Sequence, residues 1–384
     1  MELSPQARAW KTHCAEFAAT HIAPVSEKFD RENRFPDTVH EAAAAQGILG
    51  SDLPAAYGGG GRSDIESVIG AETLAAACAP IAFTLGFNRG ALHPILVAGT
   101  ERQKARLVGE LIRARRYAAL CLTEPDVSGS NLMGLNTTAT RTDRGWVISG
   151  EKAMVGNGGV ASLYLVLART IVGGHPQGLT FFAVPRSDAV SVGPNTDKLG
   201  FRAVETPAVT FREAAVSDAD RVGAVGSGAG IMMETLDTIR VGGAAVILGI
   251  VVGALADALP WVSSRQVYGG VLASKSHIQL TLGGIYSRLE LVREMVQTAA
   301  RRRAAGHPYG HQAAIAKLEA AKLAIEATGE ISQMFGWRGI DGRYAISKRL
   351  RDARQTTIFE GTSEVQKLNL FHQLMSRHRQ DGRF

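Results

Sequence analysis

The hydrophobic pattern of this chain changes period twice, and that change limits the folds it can adopt. From residue 4 to about residue 118, apolar residues recur at the spacing of amphipathic helices. Between Ala118 and Gly223 they fall into short runs and period-two alternation, which is typical of strands. From Ile231 the helical spacing returns. The sequence therefore predicts a mainly α protein with a β-domain in the middle.

These changes predict an N-terminal helical domain over residues 1–118, a small antiparallel, barrel-like β-domain over 119–225 and a C-terminal four-helix bundle over 226–384. Four long amphipathic segments predict the bundle: Ile231–Leu259, Val271–Arg303, Gln312–Phe335 and Glu364–Arg377. Short apolar or alternating segments predict the strands: Ala118–Leu122, Asn136–Arg141, Trp146–Ile148, Ser162–Ala168, Leu179–Val184 and Ala208–Phe211. Such an order of domains does not by itself define a function.

We predict neither a membrane span nor a targeting segment. The longest uncharged apolar run, residues 241–256, is shorter than the ~20 residues that span a bilayer, so it predicts a buried core helix. The first residues have neither a secretory nor a transit-peptide pattern. Cys14, Cys78 and Cys121 are far apart, as expected of buried thiols in a reducing compartment. We therefore expect a cytoplasmic protein.

The formal net charge of +6 leaves more than one explanation open. A solvated basic surface accounts for it, and so does attraction of a phosphorylated coenzyme or an acidic carrier protein. Basic residues rarely alternate with aromatic ones, so no nucleic-acid partner is predicted. No metal site is predicted either, because Pro308 and Gly310 interrupt the helical spacing of His307 and His311.

Two segments carry most of the functional information. Residues 122–131 read LTEPDVSGSN after a predicted strand, where unpaired backbone N–H groups can bind ring carbonyls or phosphate, although a plain serine–threonine turn has the same composition. Residues 351–366 read RDARQTTIFEGTSEVQ, in which Glu360 precedes Gly-Thr-Ser. A surface glutamate before a helix cap is one interpretation. The preceding Ile358 and Phe359 favour an apolar setting that raises the pKa of the Glu360 carboxyl.

These segments resemble the acyl-CoA dehydrogenase family, and the resemblance extends over nearly the whole chain. It implies an FAD-dependent enzyme in which Glu360 removes the α-proton of a saturated acyl thioester and the β-hydrogen leaves as hydride to the flavin. It also implies that the backbone at Leu122 and Thr123 bonds the polar edge of the flavin and that Ser130 reaches the pyrophosphate.

Further segments are similar to other FAD contacts of the family. Residues 146–159 resemble a hairpin that covers the flavin ring, which assigns Met154 and Gly156 to that ring. Arg265 and Tyr268 lie in a segment similar to an Arg-x-x-Phe-Gly motif that reaches the FAD of a neighbouring subunit. The resemblance therefore implies a homo-oligomer, expected to be a tetramer. The remaining FAD contacts that it implies are Gln333, Gly336, Trp337, Thr362 and Glu364.

A helical segment is predicted to contact the substrate. Asp237 and Arg240 share one helix face, so they form an intrahelical ion pair or, as the resemblance implies, contact the pantetheine arm together with Gly361. Gly242 and Gly243 follow, and they make room either for a broad acyl group or for close helix packing. The acyl carrier is expected to be coenzyme A or an acyl carrier protein, and the electron acceptor an electron-transfer flavoprotein or another acceptor.

The chain departs from the family pattern at the flavin. The family commonly has Trp-x-Thr where this chain has Met154 and Gly156, and a glycine where it has Trp337. Gly156 has no hydroxyl to bond near the flavin N5, whereas Met154 can still pack as a flexible apolar filler. Two alternatives therefore stay open: a flavin-dependent oxygenase or oxidase on the same fold, and a catalytically inactive scaffold that binds FAD poorly.

Overall fold

The computed structural model describes residues 3–381. Its helices are α1 Pro5–Phe17, α2 Ser26–Glu32, α3 Asp37–Ala45, α4 Asp64–Ala98, α5 Glu101–Gln103, α6 Gly109–Arg113, α7 Gly228–Ser264, α8 Ser276–Ala304, α9 Gly310–Met334, α10 Ala345–Gln355 and α11 Ser363–Asp381. Its strands are β1 Tyr117–Cys121, β2 Thr138–Thr142, β3 Gly145–Lys152, β4 Ala161–Val172, β5 His175–Pro185, β6 Val190–Val192, β7 Val209–Val216, β8 Arg221–Val222, β9 Gln266–Val267 and β10 Gly270–Val271. The predicted order of helices, β-domain and helices is confirmed.

Local sequence signals set where the first helices begin. Ser4 Oγ accepts a hydrogen bond from the Ala7 N–H at 3.1 Å, and Pro5 occupies the first turn of α1, where a backbone donor has no partner to lose. Thr100 caps α5 reciprocally, because its side chain binds the Gln103 N–H while the Gln103 side chain binds the Thr100 N–H.

The sequence predicts an antiparallel sheet in the middle region, but the observed sheet is mixed. Its strand order is β6-β7-β3-β2-β4-β5-β8, with β1 also paired to β4. The β1–β4 and β2–β4 pairs are parallel, and the other pairs are antiparallel. Short consecutive strands favour antiparallel pairing in general, because a tight hairpin can join antiparallel neighbours. The chain instead reaches β4 by a crossover through β2 and β3, which is the connection that a parallel pair requires.

Helix α7 lies at the centre of the helical part, where it packs against α4, α8 and α9. Residues 243–251 of α7 are all buried, as expected of a helix that is apolar on every side. By length and composition alone, α4 and α7 could cross a membrane, but 67% and 72% of their most apolar windows are buried inside the protein. They are core helices, which confirms the prediction for residues 241–256.

Two further expectations differ from the structure. The four long segments of the bundle are confirmed as α7, α8, α9 and α11, but α10 was not predicted. Residues 146–159 do not form a hairpin: β3 pairs with β2 and β7, while β4 pairs with β1, β2 and β5. The segment between β3 and β4 is a loop, since Met154 and Asn157 adopt left-handed backbone angles that end the strand.

Candidate active site

Glu360 lies on a tight turn between α10 and α11. Its φ is 56° and that of Gly361 is 92°, so both residues lie in the left-handed region that glutamate rarely adopts. The turn directs the carboxylate at α7, where a Cβ built on Gly243 would lie only 1.7 Å from Glu360 Oε2. Gly243 therefore makes room for the carboxylate, which neither sequence interpretation of this glycine had considered. A Cβ on the adjacent Gly242 would meet no described atom within 4 Å.

Buried polar contacts hold α10 and so fix the approach to this turn. Asp352 is 1% exposed and accepts hydrogen bonds from Lys348 Nζ at 2.5 Å and from the Phe201 N–H at 2.6 Å. The next residue back, Arg351, donates to Asp30 at 2.6 Å. These contacts join α10 to α2 and to the segment before β7, so the Glu360 turn begins from a rigid helix.

The environment of the Glu360 carboxyl favours its protonated form. Burial raises the pKa of Glu360 to about 8, while the positive charges of Lys317 and Arg240 lower it. Glu360 Oε2 is buried and has no hydrogen-bond partner within residues 3–381. A carboxylate without solvent or donors is a stronger base than one in water. The group can therefore exchange a proton near neutral pH.

An aromatic wall lies beside this carboxyl group. It consists of Phe83 and Phe87 from α4, Phe201 from the segment before β7, and Phe359 from the turn. The Phe83 ring centroid lies 5.0 Å from that of Phe359, 5.7 Å from that of Phe201 and 5.3 Å from that of Phe87. Phe359 thus gives the base an apolar neighbour, as the sequence predicted, whereas Ile358 is 56% exposed and does not belong to this cluster.

Asp237 and Arg240 form the predicted pair at the side of the Glu360 turn. Arg240 NH1 donates to Asp237 Oδ1 at 2.8 Å, and Arg240 is only 3% exposed. A Cβ built on Gly361 would lie 3.6 Å from Arg240 NH2. Arg240 Nε is buried and has no partner in the described part of the chain. The structure thus brings these three residues and Glu360 together, with a buried donor that a bound molecule could satisfy.

The loop after β1 is tied to the end of β3. Lys152, which is fully buried, donates from Nζ to the Leu122 carbonyl at 3.0 Å and to Glu124 Oε1 at 2.9 Å. The Ala153 N–H donates to the Thr123 carbonyl at 2.8 Å. These bonds fix Leu122 and Thr123 next to the segment that carries Met154, so the predicted flavin-edge residues share one face of the β-domain.

Glu124 holds the other side of the same loop. Its carboxylate accepts hydrogen bonds from the Asn136 N–H at 2.6 Å and the Thr137 N–H at 2.9 Å, and these bonds lower its pKa against the effect of burial. Ser130 lies further along and is exposed, and its N–H donates to Ser128 Oγ at 3.2 Å. The Ser130 hydroxyl is therefore accessible at the rim of this face.

Met154 and Gly156 occupy the loop between β3 and β4. Met154 is 51% exposed and has a φ of 53°. A Cβ built on Gly156 would lie 1.9 Å from Phe87 Cζ, so the Phe87 ring occupies the space that a side chain at this position would need. At the position where the family commonly has threonine, the Phe87 ring of α4 thus fills the space of the side chain that Gly156 lacks. The sequence pattern did not reveal this contact.

The remaining predicted FAD contacts lie elsewhere on the surface. Arg265 lies between α7 and β9, and Tyr268 lies in the turn between β9 and β10, where it is fully exposed. The Arg265 guanidinium lies 5.7 Å from the Trp261 ring, and Trp261 Nε1 donates to the Met334 carbonyl at 2.9 Å. Trp261 thereby joins the hairpin to the end of α9. The structure places three further predicted residues in or beside the turn that follows: exposed Gln333, Gly336 with a φ of 60°, and Trp337, which is 57% exposed.

Thr362 and Glu364 lie at the start of α11. Thr362 Oγ1 accepts a hydrogen bond from the Val365 N–H at 3.3 Å, so it caps this helix. Glu364 is exposed, and hydrogen bonds at the helix start lower its pKa. Both residues therefore lie within four residues of Glu360 in the chain, and the contacts that the structure gives for them are local to the start of α11.

Sequence reasoning missed Lys317, which contacts the Glu360 turn from a distant segment. Lys317 of α9 is fully buried and donates to the Gly361 carbonyl at 2.7 Å, and Gln366 Nε2 donates to the same oxygen at 3.1 Å. A lysine within an otherwise apolar, alanine-rich helix face was the signal that could have identified Lys317.

The described residues fit a flavin nucleotide. The face at Leu122, Thr123 and Met154 combines a backbone fixed by hydrogen bonds with a half-exposed thioether, which suits a flat ring that has a polar edge. Exposed aromatic rings at Tyr268 and Trp337 offer stacking surfaces. Gly156 supplies no hydroxyl, so any hydrogen bond there comes from another group.

Comparison with known proteins defines the class. The sequence matches the family descriptions "Acyl-CoA dehydrogenase, N-terminal domain" over residues 4–115, "middle domain" over 119–214 and "C-terminal domain" over 226–375. The chain therefore belongs to the acyl-CoA dehydrogenase family, whose members are oxidoreductases that use FAD.

Individual relatives agree with this assignment. The chain is 33% identical to a short-chain specific acyl-CoA dehydrogenase of Megasphaera elsdenii, over 91% of this chain and 93% of the relative. It superposes on the butyryl-CoA dehydrogenase structure from the same organism with a TM-score of 0.93 at 30% identity, covering 98% and 99% of the two chains. It is similar, with a TM-score of 0.93 at 29% identity over 98% and 99% of the chains, to a chain of a structure described as an electron transferring flavoprotein of Acidaminococcus fermentans.

Proposed function

We propose that this enzyme catalyses the α,β-dehydrogenation of a saturated acyl thioester, with Glu360 as the base that removes the α-proton. The observation that carries the proposal is the buried Glu360 carboxyl, which has an unpartnered Oε2 and a pKa raised by burial to about 8. FAD, when bound, supplies the acceptor for the β-hydride. Because only the carboxylate form can take a proton, the rate of the step rises as pH passes through the pKa of Glu360.

The residues around the base have separate tasks in this proposal. The Glu360 backbone N–H, set by the left-handed turn, polarises the thioester oxygen as the enolate forms. Asp237 and Arg240, with the adjacent Gly361, contact the pantetheine arm, and the unpartnered Arg240 Nε supports this assignment. The aromatic wall excludes water from the base, which strengthens the electrostatic interactions there.

The substrate in this proposal is a short acyl group carried by coenzyme A. The short-chain specificity of the Megasphaera relative supports a short acyl group. An acyl group on a carrier protein is the alternative, and titration with both forms of the butyryl thioester separates the two.

We assign the FAD contacts to two surfaces, which makes the proposed enzyme a homo-oligomer. Leu122, Thr123, Ser130, Met154 and Gly156 belong to one face of the β-domain and its rim. A second surface carries the residues exposed around Trp261, together with those at the start of α11: Arg265, Tyr268, Gln333, Gly336, Trp337, Thr362 and Glu364. The full exposure of Tyr268 in a single chain supports a neighbouring subunit at that surface. We expect a tetramer in the cytoplasm, with an electron-transfer flavoprotein as acceptor. Sedimentation equilibrium tests the subunit number.

The experiment is an anaerobic titration of the purified yellow protein with butyryl-CoA, octanoyl-CoA and a butyryl carrier protein. We expect butyryl-CoA to bleach the flavin absorbance of the wild type but not of Glu360→Gln. Glu330→Gln, which alters an exposed carboxylate on α9, serves as the control and should bleach like the wild type. If only the butyryl carrier protein bleaches the flavin, the acyl carrier is that protein and not coenzyme A. Yellow protein that no thioester bleaches but whose reduced form consumes oxygen rapidly would indicate an oxidase, and protein that stays colourless with added FAD would indicate a scaffold.

A further inference from the structure

Lys317 is a buried cation that the reaction described above does not use. It lies on α9 with a fully buried side chain, where an unpaired lysine is rarely found. Its Nζ donates to the Gly361 carbonyl at 2.7 Å and lies 5.7 Å from the centre of the Phe359 ring. Lys317 thus contacts the residues on both sides of Glu360.

The Gly361 carbonyl is a point at which the Glu360 turn can be held. It receives donors from two helices, Lys317 Nζ of α9 at 2.7 Å and Gln366 Nε2 of α11 at 3.1 Å. Because Glu360 and Gly361 both have left-handed φ angles, the turn needs such contacts to keep its conformation. Fixing the peptide that follows Glu360 also fixes the direction of its side chain toward Gly243.

The charges around Glu360 leave Lys317 without another carboxylate. From α7, Arg240 faces Glu360, but Arg240 is already paired with Asp237 at 2.8 Å. From α11, Glu364 adds an exposed negative charge. No acidic side chain forms an ion pair with Lys317 in the part of the chain that the structure describes. Glu360 is therefore the buried group that can balance the Lys317 charge.

We infer that Lys317 is a positioning residue for the base: its hydrogen bond to Gly361 holds the Glu360 turn, and its ammonium group is the counter-ion of the Glu360 carboxylate. This inference rests on the proposed function, in which Glu360 is the base. Burial lowers the pKa of Lys317 to about 8 and raises that of Glu360 to about 8, and the charge effect between the two groups opposes both shifts, since Glu360 raises the pKa of Lys317 and Lys317 lowers that of Glu360. Removal of the lysine charge should therefore raise the pKa of Glu360 further.

Two substitutions separate the two tasks. Lys317→Gln keeps an N–H donor near Gly361 but removes the charge, whereas Lys317→Met removes both. The control is Lys322→Met, which changes an exposed lysine on the same helix. The ionisation of Glu360 is read from the infrared carboxyl band of each substrate-free holoenzyme, identified by its loss in a matching Glu360→Gln protein. The pH profile of flavin bleaching by butyryl-CoA is measured beside it.

We expect both Lys317 variants to shift the Glu360 titration upward by about one pH unit or more, the usual effect of losing a nearby opposite charge. Lys322→Met should keep the wild-type titration. Lys317→Met should also lose at least tenfold in the rate measured above the shifted pKa, while Lys317→Gln keeps most of it. An unchanged Glu360 titration in Lys317→Gln would overturn the counter-ion task, and an unchanged high-pH rate in Lys317→Met would overturn the holding task. If Lys317→Met does not fold, Lys317→Gln still tests the counter-ion task. The infrared titration of Glu360 needs no substrate, so it tests this inference even if no thioester bleaches the wild type.

Discussion

Alanine at position 243 would place a methyl group where the Glu360 carboxylate lies. The Cβ would sit 1.7 Å from Glu360 Oε2, and the contact involves the end of a flexible side chain, so the carboxylate can move without disturbing α7. It must retreat by about 1.5 Å to reach a van der Waals separation. A misplacement of about 1 Å at a reacting group costs on the order of 100-fold in rate. We therefore expect Gly243→Ala to bleach with butyryl-CoA at least about 100-fold more slowly than the wild type.

Stability should change in the opposite direction. Gly243 lies inside α7, and alanine is favoured over glycine in a helix by about 1 kcal/mol. Gly242→Ala is the matched control, since it gains the same propensity while its Cβ meets no described atom within 4 Å. Thermal unfolding should show both variants at least as stable as the wild type, and the Glu360 pH titration should change only in Gly243→Ala. A Gly243→Ala enzyme that bleaches within twofold of the wild-type rate would refute the placement of the carboxylate over α7.

Three further results are expected. Gly156→Ala should cost about 1–3 kcal/mol of unfolding free energy by overpacking against Phe87 and little in a Phe87→Ala background, which a double-mutant cycle in urea measures; equal costs in both backgrounds would contradict the contact. Folding raises the pKa of Glu360 from 4.5 to about 8, so the protonated carboxyl contributes fully to stability below pH 4.5, and that contribution is lost as pH rises through 8. Because glutamine does not titrate, the unfolding free energy of Glu360→Gln minus that of the wild type should grow between these two pH values and then level off. A difference that stays constant with pH would argue against the raised pKa. Lys152→Met should cost about 3–5 kcal/mol by leaving the Glu124 carboxylate buried without its cation, and a urea midpoint equal to that of the wild type would exclude a role for the pair in fixing the loop after β1.

The fold was predictable to the extent that each element carries its own pattern. The Ser4–Pro5 start of α1 and the Thr100 cap of α5 are local signals that neighbouring residues carry. The parallel pairing of β1 with β4 cannot be predicted from either strand alone, because side chains alternate between the two faces of a strand whether its neighbour runs parallel or antiparallel. The sequence therefore predicted that a sheet forms, but not how its strands are ordered.

Helix α10 was missed for a different physical reason. Its apolar residues Ile346, Leu350 and Ala353 recur at helical spacing, but the helix has only 11 residues and its buried side also contains the Lys348–Asp352 ion pair, so the apolar signal is short and diluted by charge. The desolvation of these charges is offset by the 2.5 Å contact between them and by the bond from the Phe201 N–H, both of which exist only in the folded chain. The helix itself is therefore visible in the sequence, whereas the burial of its charged pair depends on partners that only the fold supplies.

The candidate base shows the same division between local and distant information. Glu360 could be identified from the sequence because the motif that marks it consists of residues adjacent to it in the chain. What gives this carboxyl its properties comes from far away: Gly243 provides its space from α7, and Lys317 contacts the adjacent peptide from 44 residues before Gly361. Coulomb interactions and steric fit depend on distance in space and not on separation in sequence. The motif can therefore suggest which residue is the base, but the direction of the Glu360 side chain and the pKa of its carboxyl depend on contacts with residues of other helices. The Gly243 variant tests the direction, and the Lys317 variants test the pKa.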